Sequence, residues 1–202
     1  MMNKVQKFVL LGFTTLMTSI ILLTIGNNAF AVEFKNYTSE KYKIQFEHPS
    51  EWIVTEKTSR FDKFGDLTIR SGKLGGEIFN IDYFDDLISG FRSSAIEKAT
   101  TNFLSDLQIY PDVRLIESPH FITIDNHKAG TLVTVTEDIF GELPSLAAQN
   151  WIVFVGGYGY LISFADSPST FDSLENIEIR DHLINSIKFL GDNEPQQKSR
   201  FG

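Results

Sequence analysis

Apolar and polar residues alternate along much of the chain, and this alternation is the pattern of half-buried β-strands. In the clearest run, Tyr42, Ile44, Phe46 and His48 share one face of a strand, while charged or polar residues occupy the other face. Pro49 ends that run, because proline cannot donate to a ladder of backbone hydrogen bonds. Similar patterns predict further extended segments at residues 52–55, 66–70, 77–84, 113–117, 121–124, 130–137, 150–155 and 160–165.

The hydrophobic period changes between residues 91 and 109, where apolar side chains recur at spacings of three and four. Such spacing places them on one stripe of an α-helix, and Pro111 prevents the helix from continuing. A second amphipathic helix is predicted over residues 174–187. Its apolar residues are Leu174, Ile177, Leu183, Ile184 and Ile187.

Short turns join most of these strands, and the two helices are inserted between them. This order predicts an α+β domain with a central, largely antiparallel β-sheet and helices packed on it. Repeated βαβ units are missing from the pattern, which argues against a doubly wound parallel sheet. No repeat or proline-rich linker divides residues 32–190, so we interpret them as one domain, followed by a flexible tail at residues 191–202.

The first 31 residues have the organisation of a secretory signal peptide. Lys4 and Lys7 precede an apolar stretch at residues 8–25, and Ala29-Phe30-Ala31 provides a small-x-small cleavage site. The alternative is an uncleaved anchor helix, since 18 residues are near the minimum that crosses a bilayer. Either interpretation places the remaining chain outside the cytoplasm, secreted or on the extracytoplasmic face of the membrane.

Composition narrows the possible functions. The chain of 202 residues contains no cysteine, which excludes disulfides, cysteine-ligated metals and a thiol nucleophile. Its formal charge is −8, and removal of residues 1–31 leaves 16 basic and 26 acidic residues, a charge of −10. An acidic protein lacks the basic footprint that nucleic acids require, and anionic lipid surfaces repel it.

Two stretches carry a resemblance to a known family. Residues 42–52 (YKIQFEHPSEW) resemble the opening motif of the PsbP-like family, in which an aromatic–aliphatic strand runs into Pro-x-x-Trp. Residues 161–165 (LISFA), Pro168 and residues 183–189 (LINSIKF) are similar to its closing pattern of strand, loop and helix. The family is named for an extrinsic subunit of the photosystem II oxygen-evolving complex.

The resemblance implies an α/β/α sandwich, a fold that the family shares with Mog-type Ran-binding proteins. It also implies an exported, non-catalytic accessory protein that docks on a membrane-associated complex or assists its assembly, with a protein as its partner. Photosynthetic members retain calcium and chloride at the manganese cluster. Residues 32–41 lack the long ion-retaining extension of the plant protein, so the photosystem role is not carried over.

Candidate chemistry is sparse. The histidines lack the i,i+4 or His-x-His spacing of metal sites: we expect His48 to pack beside Trp52, His127 to lie in a polar turn at residues 125–128, and His182 to face solvent. Asp82 and Asp86, near a strand end, are weak candidates for a calcium site; the alternative is a pair of solvated edge charges. No other cofactor is indicated.

Two segments are candidate partner contacts. Phe140 and Leu143 lie in an apolar stretch between strands, and Tyr158 lies in a glycine-rich turn. Three functions therefore stay open: an exported accessory or binding protein, an extracytoplasmic calcium-binding module, and an exported hydrolase. The hydrolase would assemble a dispersed site from His48 or His127 with a carboxylate.

Overall fold

The computed structural model describes residues 32–58, 64–71, 77–85, 96–137 and 145–190. Within these ranges the chain forms ten strands and two helices. The strands are β1 (Phe34–Ser39), β2 (Ile44–Pro49), β3 (Ile53–Thr58), β4 (Phe64–Arg70), β5 (Ile78–Asp85), β6 (Val113–Ile124), β7 (His127–Thr136), β8 (Leu146–Val155), β9 (Tyr158–Asp166) and β10 (Lys188–Phe189). Helix α1 (Ile96–Leu107) lies between β5 and β6, and α2 (Leu174–Ser186) between β9 and β10.

Seven of these strands form one sheet in the order β3-β4-β5-β9-β8-β7-β6, and β1, β2 and β10 form a second, smaller sheet. Every strand pair is antiparallel. The predicted α+β class with a central antiparallel sheet is therefore confirmed.

One side of the large sheet, which we call the inner face, carries the aromatic core. Phe79 of β5 and Phe164 of β9 lie side by side on this face and are completely buried. The small sheet covers them: the ring of Phe46 lies 5.7 Å from that of Phe79, and the Tyr160 hydroxyl donates to the Tyr42 carbonyl oxygen at 3.0 Å. The alternation that predicted β2 therefore marks the residues that join the two sheets.

The opposite side of the large sheet, the outer face, is covered by α1. Ile96 and Ala99 of α1 pack against Ile152 and Phe154 of β8. The helix also approaches β7 closely, because a Cβ atom at Gly130 would lie 1.9 Å from Oγ1 of Thr100. Within the described ranges, no helix is long and apolar enough to cross a membrane.

Helix α2 packs on β2 and has a defined start. The Ser173 hydroxyl accepts a hydrogen bond from the Asn176 backbone N–H at 3.2 Å and caps the helix. Inside the first turn, Nδ2 of Asn176 donates to the buried Asp166 carboxylate at 2.6 Å. Near the end, the Ser186 hydroxyl accepts the Glu47 N–H at 2.9 Å, which ties the last turn to β2.

Several predicted details differ from the structure. β1 and β10 were not anticipated, and they create the second sheet. Residues 113–117 and 121–124, predicted as two strands, belong to the single strand β6, which passes Pro119 through register shifts. An edge strand tolerates proline because its outward N–H has no ladder partner. Leu174, predicted in the apolar stripe of α2, is 86% exposed.

The remaining predicted elements agree. The structure confirms α1 from Ile96 onward, whereas residues 91–95 lie outside the described residues. The polar turn is shorter than predicted: Asp125 and Asn126 alone form it, both with positive φ angles (45° and 67°), as a two-residue hairpin requires. His127 is consequently the first residue of β7, not a turn residue.

Candidate functional site

The predicted calcium ligands are only partly described. Asp82 lies in β5, half-buried, opposite Leu161 of β9, and Asp86 lies outside the described residues. Among the residues that are described, no three metal-ligating side chains come together. Calcium binding by Asp82 and Asp86 stays a prediction.

Of the three predicted partner contacts, the structure describes one. Phe140 and Leu143 lie outside the described part of the chain. Tyr158 begins β9 after the Gly156-Gly157 turn, is half-buried, and stacks on Tyr83 with 5.2 Å between ring centroids. Tyr158 thus extends the aromatic core toward the surface, and its role in partner binding stays a prediction.

Two histidines contact aromatic rings, His48 in the interior and His182 in a half-buried position. His48 is 1% exposed; its Nδ1 donates to the Pro49 carbonyl oxygen at 2.8 Å, and its ring contacts Tyr37 and Phe46. Burial lowers the pKa of His48, which favours the neutral imidazole. His182 was predicted to face solvent but is half-buried, because its ring stacks on Phe34 at 3.7 Å.

A histidine, a carboxylate and a hydroxyl do meet between α2 and β2. His182 and Ser186 lie four residues apart on one face of α2, and Nε2 of His182 donates to the Glu47 carboxylate at 2.7 Å. The Ser186 hydroxyl, however, donates to the Leu183 carbonyl oxygen at 2.9 Å and accepts the Glu47 N–H. A serine nucleophile must donate its proton to a base, whereas Ser186 donates to a backbone carbonyl oxygen. We therefore interpret the contacts of His182, Glu47 and Ser186 as holding α2 on β2.

Most of the large exposed apolar side chains among the described residues lie in β6 or in the connection that leads into it. Four residues of this stretch define what we call the β6 edge surface, in which Ile116 lies toward the inner face and Phe121, paired with Gly130, toward the outer face. They are Ile109, Tyr110, Ile116 and Phe121, and their exposed fractions are 76%, 59%, 51% and 43%. Among the described residues, only Ile53 and Leu174 are comparably large, apolar and exposed.

The architecture explains why these side chains lie at the surface. β6 is the last strand of the large sheet, and Ile109 and Tyr110 lie in the connection from α1 to β6. A polar rim adjoins the apolar residues: Nζ of Lys128 lies 4.3 Å above the Phe121 ring and also binds the Glu97 carboxylate. The pattern predicted strands at 113–117 and 121–124, but which strand ends the sheet depends on pairing that local periodicity does not specify.

The architecture defines a class of fold. A large antiparallel sheet is covered by α1 on its outer face and by α2 and the small sheet on its inner face. This arrangement is the PsbP/Mog1-like sandwich. Cyanobacterial PsbP (CyanoP) from Synechocystis is similar in structure, with a TM-score of 0.54 at 13% identity over 81% of this chain and 96% of that one. The Ran-binding protein Mog1p of Saccharomyces cerevisiae gives a TM-score of 0.52 at 7% identity, covering 79% of this chain and 97% of Mog1p. The resemblance seen in the sequence is therefore confirmed at the level of fold.

A third solved structure, from Bacteroides thetaiotaomicron, gives a TM-score of 0.52 at 13% identity over 81% of this chain. This chain covers only 50% of the length of that protein. Neither a protein-family model nor a curated protein matches the sequence.

Proposed function

We propose that this chain is an exported, non-catalytic accessory protein that binds a protein partner, within a membrane-associated complex, through the β6 edge surface. The observation that carries the proposal is the grouping of exposed apolar side chains: four of the six large ones among the described residues lie between Ile109 and Phe121. Apolar patches bordered by polar groups mark protein interaction sites. The fold shared with the Ran-binding protein Mog1p supports a protein as the partner.

The edge of β6 favours docking through side chains over strand addition. A flat edge offers a continuous row of unpaired N–H and C=O groups to a partner's strand. In β6 the register shifts between Leu115 and Glu117 and again before His120, and Pro119 lacks an N–H. These irregularities interrupt the row, so the partner would meet Ile116 and Phe121 mainly by apolar contact.

Export and membrane association rest on the sequence. The signal-peptide pattern of residues 1–31 supports delivery across a membrane, and the charge of −10 that remains opposes binding to anionic lipid. With residues 1–31 cleaved, the chain would need a protein partner to stay at the membrane, whereas an uncleaved segment would itself anchor the chain. We therefore expect the membrane-associated complex, and not the lipid headgroups, to hold the cleaved chain.

Cross-linking mass spectrometry on intact cells tests this proposal. Native chain should cross-link reproducibly to a partner, and the double variant Ile109→Glu/Ile116→Glu should lose it, since two carboxylates replace apolar contacts. Ile53→Glu/Leu174→Glu is the matched control, because it places the same two charges on the two large exposed apolar side chains that lie away from β6.

Thermal unfolding of both variants checks that the fold survives. Retention of the partner by the folded double variant would contradict the assignment of the β6 edge surface. A native chain that yields no partner in any fraction would contradict the function itself.

A further inference from the structure

A groove opens on the inner face of the large sheet, beside the start of α2. It has a volume of about 290 Å³. Strands β6, β7 and β8 form one wall, and the segment from Pro168 to Asp172 forms the other with Arg180 of α2. The lining is largely apolar: it includes Val133, Val135 and Phe171, and also Ile116, which the groove shares with the β6 edge surface.

Arg180 is the unusual member of this lining. Its side chain is only 11% exposed, and its guanidinium carbon lies 4.6 Å above the Phe171 ring and 5.8 Å from that of Phe164. Nε and Nη1 are buried, and no hydrogen-bond acceptor among the described residues reaches either atom. The carboxylate of Asp172 lies 4.0 Å from Nη2, too far for a hydrogen bond, and its side chain is 82% exposed.

An arrangement of this kind calls for an acceptor. Burying a charged donor without a partner costs more than burying a neutral one, and buried polar groups in folded proteins almost always have partners. The planar guanidinium matches a carboxylate, which can accept two parallel hydrogen bonds from it. Nε and Nη1 are closed to solvent, so an acceptor in the groove reaches them only if the guanidinium rotates.

The surrounding charges select among anions. Glu117 and Asp172 also line the groove and repel negative charge, which disfavours phosphate and other multiply charged groups. Val133, Val135 and Phe171 offer an apolar wall to the body of the ligand. We infer that the groove binds the single carboxylate of an apolar-bodied ligand, with Arg180 as its anchor.

Two sources provide this chemistry: a free monocarboxylic acid and the C-terminal carboxylate of a polypeptide. The inference goes beyond the proposed function and does not depend on the partner that cross-linking would capture. Gln149 provides a second donor for either source. Its amide nitrogen has two hydrogens, and it donates one of them to Thr131 Oγ1 at 3.4 Å, which leaves the other to donate to a ligand carboxylate.

Calorimetric titration of the purified protein tests the inference. Hexanoate should bind and raise the melting temperature, whereas its neutral isostere hexanamide and inorganic phosphate should do neither. N-acetyl-leucine and N-acetyl-leucinamide form the second pair, which mimics a peptide terminus. Tighter binding of N-acetyl-leucine than of hexanoate would assign the polypeptide source, and the reverse order the free acid. Equal binding of acid and amide, or no binding of either acid at millimolar concentration, would overturn the inference.

Substitutions locate the site. Arg180→Met keeps an apolar stem on Phe171 and should weaken carboxylate binding roughly tenfold or more, since a charge-assisted hydrogen bond is lost. Glu117→Gln tests the site without altering Arg180: it removes a repulsive charge and should strengthen binding about twofold. Glu137→Gln is its control, because Glu137 is similarly exposed and bound to Arg114 as Glu117 is to His120, but is not among the described residues that line the groove. Weaker binding to Glu117→Gln, or equal gains in both variants, would contradict a carboxylate in this groove.

Discussion

The two faces of the large sheet are packed very differently. On the inner face, Phe46, Phe79, Tyr160 and Phe164 are all completely buried, and neighbouring rings contact one another across the two sheets. On the outer face, the described part of α1 contributes Ile96 and Ala99 to a small buried cluster. Open pockets lie on both faces, one of about 170 Å³ beside Phe103 and the groove of about 290 Å³ at β6 to β8.

This contrast identifies the region that stabilises the fold. Protein interiors are packed as densely as organic crystals, and each buried aromatic ring contributes a large apolar area. Antiparallel pairing aligns the rings of β5 and β9 beneath β2, so this part of the inner face holds completely buried rings. Within the described residues, α1 brings no completely buried ring to the outer face, so α1 should be the more easily detached of the two coverings.

The largest effect should come from removing an inner-face ring. Phe46→Ala deletes a completely buried side chain and should lower the free energy of unfolding by ~3–5 kcal/mol. Phe103→Ala, in α1, removes a half-buried ring beside an existing cavity and should cost roughly 1–2 kcal/mol. Equilibrium urea unfolding measures both, and equal losses would refute the contrast between the two faces.

An intermediate effect is expected where α1 touches β7. Gly130→Ala introduces a Cβ atom 1.9 Å from Oγ1 of Thr100, and such overpacking costs ~1–3 kcal/mol. Thr100→Ala in the same chain removes that oxygen and should restore much of the loss, as a double-mutant cycle would show. Thr101→Ala deletes an exposed hydroxyl that likewise bonds to the helix backbone, and it should restore nothing. Equal rescue by Thr101→Ala would mean that the strain lies elsewhere.

Much of the fold is readable from local pattern. The alternation from Tyr42 to His48 marks buried positions correctly, and the helical period marks Ile96 and Ala99. β1 escapes prediction because Lys35, Asn36 and Thr38 interrupt any apolar alternation. β10 has two residues, too few to carry a period.

The candidate sites are less predictable because they depend on distant parts of the chain. Arg180 meets strands β6 to β8 only through the antiparallel order of the sheet, and no spacing within α2 signals an unpaired guanidinium. The bond between His182 and Glu47 joins residues separated by 135 positions. A helical wheel places His182 on a charged face, but it cannot show that β1 brings Phe34 against that face.

The smallest effect concerns the protonation of His48, a buried histidine of the inner region. Burial lowers its pKa below the ordinary value of 6.5, so the folded protein binds fewer protons than the unfolded chain in the interval between the two values. The stability that neutral His48 contributes is therefore complete above about pH 6.5 and declines as the pH falls toward the lowered pKa. His48→Asn retains a donor for the Pro49 carbonyl oxygen and should flatten this decline in urea unfolding. His120→Asn, at a histidine whose side chain is 44% exposed, should leave it in place. If the decline persists in His48→Asn, the acid sensitivity of the inner face has another origin.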